Sequence, residues 1–328
     1  MLPEPEWRRF VEGHPAANVF HTPEMFQVFS RTRGYRPELW AATRDGHVLA
    51  LLLAVQITLA NVLFRCFTRR AVVYGGVLCT PEIEGQEALA RLLGSYTRDV
   101  GGAPLFTELR NVSDARDLQP VLGRHGFTYE EHLNYLIDLN QPEEAIWSKV
   151  SKKLRQNVRR ARATGVTIED VTEPSQLAVA YRLLEQVFER VHVPLPSITL
   201  FQAAFEILTP RDMLKVVLAR LGDHYIGVNM ALMYRGRIID WYCASDHAFH
   251  SHYPEPLMLW HIIQWGKERS FRVLDFGGAG KPNVDYGPRV FKSKWGGTLV
   301  NYGRNTYIHA PIRLRFSRVG YQLLRRFL

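Results

Sequence analysis

The segment VLDFGGAGKPNVDYGPRVFKSKWGG, Val273 to Gly297, sets two acids, three clustered glycines and three lysines in and behind a short apolar run. A nucleotide-cofactor cradle would need a helix directly behind its glycines and a second acid about 20 residues on. Here Lys281, Pro282, Asn283, Asp285, Gly287 and Pro288 follow, a turn-forming set that breaks a helix. A phosphate loop needs a hydroxyl residue after its lysine, and Pro282 stands there instead. What Gly277, Gly278 and Gly280 can supply is close approach of backbone to a substrate, with N–H groups aimed at it; the alternative is a plain turn between strand and helix. Asp275, at the end of the strand, could accept a proton from an amine or orient its neighbours, and a structural carboxylate is the alternative.

A second set of candidates lies in the acid-free block from Ala145 to Ile168, which carries Lys149, Lys152, Lys153, Arg155, Arg159, Arg160 and Arg162. Arg155 and Arg159 are four apart on one helix face, where guanidinium forks can hold a diphosphate or a tRNA phosphate, with Lys153 beside them. A solvated helix face is the bland reading of the same residues. Tyr253, Tyr286 and Tyr302 could supply hydroxyl donors. His247, His250 and His252 with Asp246 invite a zinc reading, but the spacing matches no ligand motif and no metal is expected.

The elements that must position these residues read as mixed α/β. Thr22 and Pro23 open a short helix, and LWAAT, the RDG turn and HVLALLLAVQI form a hairpin. Further strands fall at Ala71 to Val77, Pro104 to Leu109 and Tyr135 to Leu139, with a helix from Glu82 to Val100. Ile146, Val150, Leu154, Val158 and Ala161 make one apolar stripe that seats the basic helix, which Gly165 ends. Helices at Pro174 to Arg190 and Ser197 to Leu208 precede a three-strand meander. Pro256 then opens a helix from Leu257 to Arg269 as its first residue. The strand Arg272 to Phe276, a short helix near Arg289 to Trp295 and a strand Thr298 to Tyr302 follow. The domain boundaries expected are 1–143, 144–310 and a basic amphipathic helix at 311–328.

Composition narrows the class. With 328 residues and an apolar fraction of 46%, the chain can bury two cores. Its net charge of +9 is concentrated: no acid follows Asp285, while nine cations do. An anionic partner is implied, whether nucleic acid, phosphate-bearing substrate or acidic lipid. The three cysteines, Cys66, Cys79 and Cys243, have no metal or redox spacing, which points to a reduced, cytoplasmic setting and to core positions. The apolar run Val48 to Phe64 is short for a membrane span and reads as two buried strands.

The pattern WSKVSKKLRQNVRRARATGVTI, followed by WYCASD, LMLWHIIQWGKERSFRVLDFGG and VFKSKWGG, resembles the Fem-type aminoacyltransferases and their FemAB-like relatives. YRPELWAATRDGHVLALLL and AVVYGGVLC resemble the first domain of such proteins, so the likeness covers most of the chain. It implies two tandem GNAT-like domains, each a mixed, mostly antiparallel sheet flanked by helices. It also implies transfer of an amino acid from aminoacyl-tRNA to an amine of a phosphate-bearing peptidoglycan precursor, with no cofactor. In that family the pair matching Phe291 and Lys292 lies beside the reacting centre, so Lys292 is the expected electrostatic stabiliser and Lys294 the weaker candidate. The coiled-coil arm of some members has no counterpart between Thr172 and Met213. Many FemAB-like relatives serve exopolysaccharide or surface-protein systems, which leaves the acceptor open. An N-acyltransferase using acyl-CoA or acyl-carrier protein is the alternative, although the pyrophosphate loop of acetyl-CoA enzymes is missing. A non-catalytic module that binds phosphate, glycan or RNA is the other. The acid-free tail from Pro311, with Ile312, Phe316, Val319, Leu323 and Phe327 at helical spacing, could lie on the anionic inner membrane face.

Overall fold

The computed structural model describes residues 2–58 and 65–324. They form two compact units, one from Met1–Glu131 with Tyr302–Leu328 and one from His132–Asn301.

The first unit opens with helices α1 (Glu4–Gly13) and α2 (Pro23–Arg31). As its sequence announces, α2 begins on Pro23 and is capped by the Thr22 hydroxyl, which accepts from the Met25 amide. Strands β1 (Tyr35–Arg44) and β2 (His47–Ile57) form the expected hairpin. The apolar run past β2 lies, from residue 59, outside the described residues. After the short helix α3 (Arg65–Thr68) come β3 (Arg70–Gly75), β4 (Leu78–Cys79), α4 (Ile83–Val100), β5 (Phe106–Asn111), α5 (Gln119–Arg124) and β6 (Thr128–Glu130). Cys79 is a buried free thiol, and the side chain of Cys66 lies outside the described residues.

The second unit begins with β7 (Leu133–Asp138), followed by α6 (Glu143–Lys149) and α7 (Lys152–Ala163). The single basic helix of the sequence reading is thus two helices. Val150 breaks them in extended conformation, and Ser151 caps the second through the Leu154 amide. The apolar stripe nonetheless holds, because Ile146, Val150, Leu154, Val158 and Ala161 are all buried in one core. Then follow β8 (Thr167–Asp170), α8 (Pro174–Arg190), α9 (Ile198–Leu208), the meander β9 (Leu214–Leu221), β10 (His224–Tyr234) and β11 (Arg237–Ser245), and α10 (Pro254–Glu268). The first residue of α10 is Pro254 and not Pro256, since Tyr253 sits in the left-handed region (φ 55°, ψ 47°) and turns the chain two residues earlier. The unit ends with β12 (Val273–Gly278), α11 (Gly287–Ser293) and β13 (Thr298–Asn301).

The chain then returns to the first unit as β14 (Arg304–Ile308) and α12 (Pro311–Leu324). The expected boundaries at 143/144 and 310/311 set β7 and β14 each in the other unit from the one whose sheet they join. The first sheet has the order β1-β2-β3-β5-β14-β6, with β4 on β2, and the second β13-β7-β12-β11-β10-β9-β8. Each is antiparallel except for one parallel pair, β3 with β5 and β11 with β12. No helix among the described residues is long and apolar enough to cross a membrane.

The closing motif of the second unit explains its own glycines. Trp295 is fully buried against Phe276 and Phe291. Gly296 (φ 71°) passes so close to Lys149 that a Cβ would meet its carbonyl oxygen at 2.5 Å, and one on Gly297 would meet the Leu136 carbonyl at 2.6 Å. The Lys294 carbonyl accepts from Ser151 N–H at 2.8 Å. These contacts pin α11 to α6, α7 and β7. Trp295→Ala should therefore destabilise the protein by about 3–5 kcal/mol, read as a lower urea midpoint. Trp295→Phe should cost much less, because the indole Nε1 it removes is buried without a hydrogen-bond partner among the described residues.

Candidate functional site

The site is built where the parallel pair of the second sheet stops. Its rungs run from Arg237↔Val273 to Ile239↔Asp275, yet both strands continue beyond them, to Ser245 and Gly278. Past that last rung the ammonium of Lys292, carried on α11, donates to the carbonyls of Phe276 (2.6 Å) and Gly278 (2.8 Å). An ammonium has three donors. Two are thus fixed by backbone, and the third has no partner among the described residues.

A bulge in β11 supplies the neighbours of Lys292. Asp240 pairs with Ala231, but Tyr242 pairs with Met230, so Trp241 is an extra residue. One extra residue reverses the alternation of side chains. Asp240, Cys243 and Ser245 therefore share the face of Asn229 and Gly227, the face covered by α10, whose Met258 and Pro254 approach Gly227. Asn229 Nδ2 donates to Asp240 Oδ1 at 2.9 Å, and Ser245 Oγ donates to Glu255 Oε1 at 2.7 Å. Burial pushes the Asp240 carboxyl up to about 6, against the pull of Lys292. Burial also raises Asp275, and it lowers the Lys292 ammonium, which the two carboxylates oppose. The Cys243 thiol is pushed well up by the same desolvation.

Alongside lies a cleft of about 280 Å³. Lys153, Tyr253, Phe291 and Lys294, four residues singled out from the sequence, are part of its lining. Lys292 is not, but its chain neighbour Phe291 is. Arg190, His247 and His250 add to its basic character, and the two imidazoles stack at 5.3 Å. The Tyr253 ring lies under the Arg160 guanidinium at 5.7 Å.

Other expected residues are engaged by the fold or lie outside the cleft lining. Asp275 is fully buried and accepts three hydrogen bonds: Oδ1 accepts from Asn134 and from the Gly277 amide, and Oδ2 from Arg237. The Gly277 N–H is thus spent on Asp275 and does not face a substrate, and the Ala279 N–H goes to the Leu133 carbonyl. It is the carbonyl side of this turn that matters, since it holds Lys292. Gly280 (φ 76°) lies against the Tyr286 ring, which is exposed at 40%. Arg155 turns back to the end of α6, donating to the carbonyls of Trp147 (3.2 Å) and Ser148 (3.1 Å), where a cation also suits the helix dipole. Arg159 is exposed on α7 outside the cleft lining. Tyr302 belongs to the first unit, where its carbonyl accepts from Asn111. Asp246 caps the turn that carries the histidines, and no group of three metal-binding side chains occurs among the described residues. Sequence reasoning passed over Asp240, Asn229, Ser245 and Glu255. A bulge leaves no mark on the sequence, although the string YPEP did carry a helix-start signal with an acid in the first turn.

Residues 148–292 match the family model described as Acetyltransferase (GNAT) domain. No curated protein matches the chain in sequence. Among solved structures, the crystal structure of FemX is similar over 97% of this chain and 99% of its own, with a TM-score of 0.73 and 15% identity. L-PGS from Bacillus licheniformis gives 0.60 at 14% identity, covering 97% and 96%. A tandem GNAT protein from the clavulanic acid biosynthesis pathway gives 0.55 at 11%, covering 85% of each. The chain is therefore a mixed α/β protein of two GNAT-like units, and the second carries an acyltransferase domain. In fold, the resemblance to Fem-type proteins agrees with the FemX structure.

Asp240 makes the stability of the protein pH-dependent in a definite sense. Its carboxyl is raised from 3.8 to about 6 on folding, so between these values the folded state holds the proton more tightly. Stability is then greatest below pH 3.8 for this group and falls as pH rises through about 6. Asp240→Asn should flatten that fall. Urea titrations of both proteins across the interval, with the difference plotted against pH, measure it.

Proposed function

We propose that this chain moves an activated aminoacyl group from aminoacyl-tRNA onto an amine of a peptidoglycan precursor or related cell-envelope acceptor. The observation that carries this reading is Lys292: an ammonium locked by two backbone carbonyls, with one donor to spare, next to a basic cleft. The acceptor nitrogen attacks the ester carbonyl, a C–N bond forms, and the C–O bond to the carrier hydroxyl breaks. The nitrogen loses one proton and the leaving oxygen gains one. Between these events the carbonyl oxygen carries negative charge, and a preorganised cation lowers the barrier most at that point. Lys153 and Lys294, with Arg190, suit the phosphates of the carrier. The motifs shared with Fem-type transferases and the fold shared with FemX support the reading. The acetyltransferase family match favours a second one, N-acyl transfer from acyl-CoA or an acyl-carrier protein. Labelled aminoacyl-tRNA and labelled acyl-CoA, offered separately with muropeptide precursors, distinguish the two.

Lys292→Met should lower the chemical rate by about 10²–10³ in single-turnover assays. It should also cost about 1–3 kcal/mol of stability, because the Phe276 and Gly278 carbonyls lose their donor, so rates are compared per folded molecule. An unchanged rate would remove Lys292 from the mechanism.

We further propose that α12 touches an anionic membrane surface. The helix is seated by Leu314, only 6% exposed, and by Ser317 Oγ on the Phe67 carbonyl, while Arg313 reaches the Gly102 carbonyl. Ile312 and Phe316, one turn apart, are exposed at 73% and 65%. The side chains from 318 onward, with Arg325, Arg326 and Phe327, lie outside the described residues. Ile312→Ser with Phe316→Ser should leave folding intact and reduce flotation with liposomes containing anionic lipid. Equal flotation of parent and variant would end the idea.

A further inference from the structure

The cleft contains a charge that its basic lining does not explain. Glu255 is the one acid among the residues that line it, in the company of Lys153, Arg190 and Lys294. No ion pair joins it to any of them among the described residues. Its recorded bond is to the hydroxyl of Ser245, which is 7% exposed, and that bond fixes Oε1 and leaves Oε2 for another donor. An acid in the first turn of α10 suits the helix dipole. The dipole does not require a buried serine to hold the carboxylate, nor a position on the wall of a cleft.

We propose that the cleft takes an acyl group bearing an ammonium, and that Glu255 is the specificity-determining residue that receives it. This rests on the aminoacyl-transfer reading and refines it. An aminoacyl ester on a nucleotide carrier presents two features at once, an α-ammonium on the acyl part and phosphate on the carrier. A cleft with one tethered carboxylate among several cations complements both. A plain acyl-CoA carries the anions without the ammonium, so Glu255 would face nothing it could pair. The acceptor is the less suitable occupant, because its nitrogen must give up a proton before attack and a carboxylate partner would hold that proton in place.

The test is binding of stable amide analogues, 3′-aminoacylamino-adenosine 5′-phosphates carrying glycine, alanine, serine or lysine, each paired with its N-acetyl derivative. With the parent protein, at least one free-amine analogue should bind about tenfold more tightly than its acetylated partner, as for loss of a hydrogen bond to a charged group. Glu255→Gln should abolish that preference while leaving affinity for the acetylated analogue unchanged. Ser245→Ala keeps the charge but frees the carboxylate, and should shrink the preference severalfold. Failure of every analogue to bind the parent, equal binding of each pair, or a preference that survives in Glu255→Gln overturns the proposal. Transfer from aminoacyl-tRNA is assayed in parallel. Discrimination without transfer upholds the site and rejects the proposed reaction, and transfer without discrimination does the opposite.

Discussion

A lysine ammonium taken out of water must be met by acceptors, and in this protein that demand organises a whole corner of the second unit. Lys292 finds two carbonyls only because β12 runs past its last rung with β11, where a regular parallel ladder would have claimed the space. The carbonyls are in place because Asp275, buried and triply bonded, fixes the strand end and folds the Gly277 amide back onto itself. The helix that carries Lys292 is held in turn by Trp295 and by two glycines that pass close to Lys149 and Leu136. Each of these residues would be an ordinary structural detail alone. Together they hold one cation to within hydrogen-bond tolerance, which is what electrostatic assistance to a reaction requires.

The same corner shows why some of the chemistry could be read from the chain and some could not. Phe291, Lys292 and the Trp-Gly-Gly that follows are contiguous, so the segment that holds the cation is visible as a string. The apolar stripe from Ile146 to Ala161 was equally visible, because burial follows helical spacing whether or not the helix is broken at Val150. Asp240 was not visible, since its meeting with Asn229 depends on Trp241 being an uncounted residue in a ladder. Where the Arg155 side chain turns was not legible for a related reason. A guanidinium on a helix surface can turn to solvent, to a ligand or back along the chain, and the end of α6 was close enough to take it. Alternation and helical period report which way a backbone faces, and not which of several acceptors a long side chain will choose.

The two sheets repeat one design, an antiparallel array interrupted by a single parallel pair, although only the second unit carries the lysine, the cleft and the match to an acyltransferase domain. In the first unit the interior of the sheet is occupied by aliphatic side chains packed on α4 and by Tyr96, whose hydroxyl meets that of Thr107. Charge is placed in the first sheet as well, on β5, where Glu108 pairs with Arg110 and with Arg304 of β14.

The return of the chain to its first sheet has a bearing on how the molecule is made. β14 lies between β5 and β6, so both of those strands keep an open edge until residues 304–308 have left the ribosome. The second unit is contiguous in the chain and can close first. The half that is synthesised earliest is therefore the half that is finished last, and during elongation it presents unpaired backbone on two of its strands.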